Sequence, residues 1–221
     1  MNLLQVIVEL RHSTPLKLFS PYEELFRSIT GKELPAKQVP LPGFELTVSE
    51  KRMQIVVDPR HTAIVLGDIP NIGYCTDNVM AVFKKINDLV KLPSLSRLGA
   101  RSYWVGESKL DFDELVAAYK KMYRPTNIIE ESIDVGFSFV FTCGECKVNI
   151  AFGPMELSQL ESMFVFKPPK LPGVANFLDV DYYLKIEQKE LTERMLRDFV
   201  ISGLDYAKGQ STKLMGLLKE E

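Results

Sequence analysis

From Leu3 to Arg11 the even positions Leu4, Val6, Val8 and Leu10 are apolar, while Gln5, Glu9 and Arg11 fall among the odd ones. A period of two with one wet face predicts a half-buried strand. Ser20-Pro21-Tyr22-Glu23 then reads as a helix opening, with Ser20 as cap, Pro21 at the first helical position and Glu23 completing a capping box. Gly31 is the expected stop. Lys32 to Gly43 carries Pro35, Pro40 and Pro42 and is expected to be a connector. Short strands are expected near 44–49, 52–58 and 62–67, joined by polar turns into an antiparallel meander. Thr76 is placed to cap a second helix, whose apolar residues Val79, Val82, Phe83, Ile86 and Leu89 recur three and four apart. Pro93 is its expected end.

The second half repeats this order. A strand over 97–105 leads to a helix opened by Asp111-Phe112-Asp113-Glu114, again with capping-box spacing. The clearest hairpin follows. Ile133, Val135, Phe137, Phe139, Phe141 and Cys143 share one face, and Cys146, Val148, Ile150 and Phe152 join it if Gly144-Glu145 is a two-residue turn. This face is expected to be covered, and a slip of one residue would expose every phenylalanine, so the register is well specified. A proline-rich connector (Pro154, Pro168, Pro169, Pro172) is expected to flank a short strand near 163–167. Strand 177–187 alternates with Leu178, Val180, Tyr182, Leu184 and Ile186 inward. A final helix starts near 190 and is expected to bend or break near Lys208-Gly209-Gln210, because glycine weakens a helix.

These elements give an α+β fold: antiparallel sheets with helices packed on one face. Tyr22-Glu23-Glu24-Leu25 and Phe112-Asp113-Glu114-Leu115 match in type and order, which points to an internal duplication of a strand-helix-strands-helix unit. The halves fall at 1–93 and 94–221, within one compact two-lobed unit.

Composition narrows the functional classes. Lys+Arg number 27 against 29 Asp+Glu, so binding held mainly by phosphate contacts is not expected, nor is nucleic acid as a partner. Gln5 and Glu9 interrupt the opening apolar residues, which read as a strand and not a signal peptide. No window approaches a membrane span. Three cysteines are too few for a secreted disulfide framework, so a cytoplasmic protein with reduced thiols is expected.

Four sets of residues bear on chemistry. Cys143-Gly144-Glu145-Cys146 has the spacing of half a zinc site, which Cys75 with His12 or His61 could complete, or of a redox dithiol. The stronger reading is packing, since both thiols fall on the phenylalanine face. Metal is therefore not expected, and Cys143, Cys146 and Cys75 are its weak candidates. The second set is a wet sheet face, where Arg97, Arg101 and Tyr103 on one strand and Asp179 and Asp181 on another point away from the core, with Glu9 and Arg11 on the first strand. If these strands are neighbours, Arg101 and Asp181 could pair, or the arginines could bind a small anion. Ordinary cross-strand ion pairs are the favoured reading. Third, His12 and His61 have no motif that brings a nucleophile to them, and no phosphate loop, dinucleotide turn or His-Glu-x-x-His is present. Fourth, Lys84-Lys85 and Lys120-Lys121 read as solvated helix faces.

Val6-Ile7-Val8-Glu9-Leu10-Arg11, Arg97-Leu98-Gly99-Ala100-Arg101-Ser102-Tyr103 and Leu178-Asp179-Val180-Asp181-Tyr182 together resemble a family of uncharacterised bacterial proteins of similar length. That resemblance implies one bacterial unit and no particular activity, and it singles out Arg97, Arg101 and Asp181. The expected function is a non-enzymatic binding or interaction protein without a cofactor, self-associating as a homo-oligomer or joining a protein partner through its last helix or a sheet edge. The alternative is an enzyme or small-anion binder using Arg97, Arg101, Tyr103, Asp179 and Asp181.

Overall fold

A computed structural model describes residues 1–13, 27–29, 31, 44–90, 92, 94–123, 133–186 and 191–217. The strands are β1 (Asn2–His12), β2 (Phe44–Val48), β3 (Met53–Val57), β4 (His61–Gly67), β5 (Leu95–Glu107), β6 (Phe137–Cys143), β7 (Cys146–Glu156) and β8 (Val174–Lys185). The helices are α1 (Ile72–Val90), α2 (Phe112–Tyr123), α3 (Leu157–Met163) and α4 (Glu193–Leu217). Residues 27–29 are also helical, and Gly31, at φ +69°, donates its N–H to the Arg27 carbonyl as a helix-ending glycine does. Ser20, Pro21 and the connector 32–43 lie outside the described residues.

All the strands join one antiparallel sheet in the order β2-β3-β4-β1-β5-β8-β7-β6. The fold is α+β, with a single sheet across both halves through the β1–β5 pair. Outward from that pair the two sides run β4-β3-β2 and β8-β7-β6, so corresponding strands of the halves take mirrored places.

The alternation read from sequence sets the two faces from Gln5 onward, while an irregularity between Leu3 and Gln5 puts Leu3 against the main core and turns Leu4, expected inward, to the other side. Val6, Val8, Leu10, Ile64, Leu98, Ala100, Val180 and Tyr182 point to one side, where α1 and α4 pack over them in the main core. Gly203 of α4 lets that helix approach closely, since a Cβ there would lie 3.0 Å from Tyr182 Cδ1 and 3.4 Å from Ala100 Cβ. The helix runs unbroken through Gly209, contrary to the expected bend near Lys208, because its stripe Phe199, Val200, Leu204, Ala207 and Leu214 stays buried on both sides of that glycine. Such packing outweighs the local propensity cost.

Not every helix lies on that face. Leu160 of α3, with Phe164, packs on Tyr103, Val105 and Phe177 in a second, smaller core on the opposite side. The segment after α3 crosses the sheet and does not pair within it: Val165 donates its N–H to Gln5 Oε1 at 2.9 Å, and Phe166 Cβ lies 3.1 Å from where a Cβ of Gly67 would stand. The strand expected near 163–167 is this crossing. Pro154, expected in a connector, sits inside β7 opposite Asn176 of β8, beyond the last β6–β7 pair at Phe137–Phe152, where β7 is itself an edge.

The N-termini of α1 and α2 are capped differently from each other. At α2, Glu114 donates its N–H to Asp111 Oδ1 (2.9 Å) and Asp111 donates to Glu114 Oε2 (3.0 Å), a complete capping box. At α1 the cap is Asn71, whose Oδ1 accepts from the Tyr74 N–H at 2.8 Å. Thr76 lies inside that helix and donates to the Ile72 carbonyl.

Candidate functional site

β5 and β8 are neighbours, so the wet residues of both strands meet on one face. Inward Leu178, Val180 and Tyr182 leave Asp179 and Asp181 outward, as inward Leu98, Ala100 and Trp104 leave Arg97 and Arg101. Arg101 stands directly opposite Asp181, yet it pairs with Asp179 on the diagonal, while Arg97, opposite Lys185, reaches over Gly99 to Asp181. Arg97 Nη2 donates to both oxygens of Asp181, at 2.9 and 3.1 Å. Arg101 Nε donates to Asp179 Oδ1 at 2.9 Å, and its Nη2 donates to Oδ2. Each guanidinium also lies over a tyrosine ring, Arg97 4.5 Å from the Tyr183 centroid and Arg101 5.2 Å from that of Tyr103.

The ladder extends across β1. Glu9 Oε2 lies 3.6 Å from Arg97 Nη1, and Glu9 also accepts from Arg11. Three guanidiniums therefore meet three carboxylates on the face. The bond to Asp179 raises the Arg101 pKa against the pull of burial, so this guanidinium stays charged. Burial pushes the Asp181 carboxyl up, and Arg97 and Arg101 pull it down. Such an arrangement neutralises its own charge. Tyr103, expected on the open face, is covered: it is buried beneath Phe164 and Phe177, and burial raises its pKa.

The cysteines divide. Cys75 is buried in α1, which pushes its thiol up to about 12. Cys143 and Cys146 face each other at the closing pair of the β6–β7 hairpin, where Gly144 takes φ +59°. Their partly buried side chains pack against the main core. Burial raises the Cys146 pKa, so neither it nor Cys75 is an activated thiolate. Among the described residues no group of three or more His, Cys, Asp or Glu could hold a metal ion. His12 is buried with Nε2 3.1 Å from Thr62 Oγ1, and His61 pairs with Asp58, so the two histidines serve separate local contacts.

Sequence reading placed the β6 phenylalanines on one face correctly, as the pairs Phe137–Phe152, Phe139–Ile150 and Phe141–Val148 show. Their exposure was not legible. β6 is the outermost strand, so Phe139 remains 42% exposed, Val140 69% and Phe141 45%. A cavity of about 240 Å³ separates these rings from Leu214 and Leu217 at the end of α4. A second, of about 440 Å³, reaches Asp179 between Met155, Met163 and Phe177. A larger opening of about 1020 Å³ lies at the start of α1, beside Asn71, Trp104 and Lys208. Cavities form between residues distant in sequence, so no local pattern announces them. Among the described residues no helix is long and apolar enough to cross a membrane.

No family model matches the chain, and no curated protein matches it.

Proposed function

We propose that this chain is a non-enzymatic binding and interaction protein of the cytoplasm that associates with its own copies. The observation that carries this reading is a contrast in how side chains are occupied. Arg97, Arg101, Asp179 and Asp181 satisfy one another, while Phe139 and Phe141 lie uncovered on an outer strand. Exposed apolar surface at a sheet edge is a recurrent mark of association. The cytoplasmic compartment rests on the sparse cysteines. The mirrored strand order supports, as part of the same proposal, an origin by duplication of one strand-helix-strands-helix unit.

Native mass spectrometry of the purified protein tests the reading. A mass of two or more chains, without added species, is expected; a monomer, bare or carrying a small molecule, would contradict it. One observation favours the alternative of a small-anion site: the Arg101 side chain is 45% exposed, and its partner Asp179 lines the 440 Å³ cavity. On that reading Arg101→Ala abolishes retention of the anion while the assembly mass is unchanged.

A further inference from the structure

β6 reads Phe137-Ser138-Phe139-Val140-Phe141-Thr142-Cys143, and it is nearly palindromic in chemical type about Val140. Phenylalanines flank the centre, and hydroxyl residues Ser138 and Thr142 flank them. The hairpin closes on Cys143–Cys146 through a two-residue turn, so the odd residues of β6 exchange backbone hydrogen bonds with β7. By alternation, the backbone N–H and C=O groups of Ser138, Val140 and Thr142 point outward from the sheet edge. We propose that this edge pairs antiparallel with β6 of a second copy about a twofold axis at Val140, joining the two sheets into one.

That register alone aligns all of β6 with its copy, and it satisfies every outward backbone group of the three residues. It sets Ser138 opposite the second copy's Thr142, and Phe139 opposite its Phe141. Cross-strand hydroxyl pairs and aromatic pairs of this kind are favourable. The rings of both copies would lie on the main-core face, closing the cavity that Leu214 and Leu217 border. Natural edge strands are commonly guarded by charge or proline. From Val135 to Gly144 this chain has neither, so no like charges face each other within that span, and Asp134 and Glu145 lie just beyond its two ends. The inference rests on the self-association reading and makes it specific to one strand and one register.

Sedimentation velocity on three proteins tests it, with circular dichroism to monitor folding. The wild type is expected to be dimeric at micromolar concentration. V140K, which would set two ammonium groups against each other at the axis, is expected to dissociate about 100-fold more readily with its spectrum unchanged. The polar but uncharged V140T is expected to retain the dimer. A monomeric wild type at all concentrations would overturn both this proposal and the self-association reading. A V140K protein as dimeric as the wild type would overturn only the β6 pairing and leave association through another surface.

Register is tested separately by V140C in a C143S/C146S background. Cα atoms about 5.5 Å apart at a hydrogen-bonded pair lie within disulfide reach. Under oxidation by glutathione disulfide, the two thiols of a dimer lose two protons and two electrons to form the S–S bond, and the glutathione disulfide is reduced to two thiols. A cross-linked dimer joined through position 140 is expected, and its absence in a dimeric sample would overturn the register.

Discussion

The two sides of the sheet follow the same order outward from β1 and β5, yet they end in opposite ways. On one side β2 presents Glu45 and Thr47 to water and keeps Leu46 and Val48 buried. Glu45 also accepts a hydrogen bond from Gln54 of β3 at 2.6 Å. On the other side β6 carries no charge, and its inward-facing Phe139 and Phe141 remain in water with Val140. The polar faces differ as well. β8 supplies two carboxylates to the arginines of β5, whereas β4 places Val65 and Ala63 at the corresponding positions. One architecture can thus end in a guarded strand or an open one, and a few residues decide which.

The largest effect on this contrast is expected at Gly153. A Cβ there would lie 2.7 Å from the Val135 carbonyl oxygen, where the chain entering β6 crosses β7. Gly153→Ala must displace that backbone, with a loss of about 3 kcal/mol in urea unfolding. It should release β6 while leaving the β2 edge protected from hydrogen exchange. An effect spread evenly over both edges would contradict the assignment.

Next come the polar-face pairs. Arg101→Ala leaves Asp179, whose side chain is 11% exposed, without its guanidinium, at a cost of about 2 kcal/mol. Arg11→Ala removes an arginine that is 55% exposed and should cost less than about 1 kcal/mol. Chemical denaturation of both variants distinguishes them, and equal losses would refute the contrast between the inner and outer pairs.

A pH effect is expected on the β1–β4 side. Burial lowers His12 to about 4 from its ordinary 6.5. The folded state therefore favours the neutral ring, and stability present above 6.5 is lost as pH falls from there through about 4. The change should reach about 2 kcal/mol after allowance for solvent screening. His12→Asn should flatten the stability profile in that window relative to the wild type, and parallel profiles would count against this histidine.

Among the smallest effects, Thr76→Ala should leave the α1 N-terminus intact, because Asn71 caps it. Asn71→Ala should cost about 1 kcal/mol by thermal unfolding. Equal effects would return the cap to Thr76.

Much of this architecture was legible because it is written in local periodicity. The alternation of β1, β5 and β8 placed Arg97, Arg101, Asp179 and Asp181 on the wet side, and the hairpin register followed from Gly144 and the spaced phenylalanines. Strand order was not legible, since pairing of β5 with β8 joins residues far apart in sequence through backbone bonds common to all residue types. For the same reason the reach of Arg97 over Gly99 to Asp181, and the cover that α3 and Phe164 give Tyr103, required the folded chain. The exposure of Phe139 and Phe141 was misjudged because alternation defines a face but not whether anything lies over it.

Residue-resolved amide exchange by NMR reads the outward amides of β6 directly. Ser138, Val140 and Thr142 are expected to be protected at high protein concentration and to exchange rapidly on dilution, while Phe139 and Phe141 stay protected throughout by their bonds to β7. Rapid exchange at Ser138, Val140 and Thr142 at every concentration would contradict the β6 pairing.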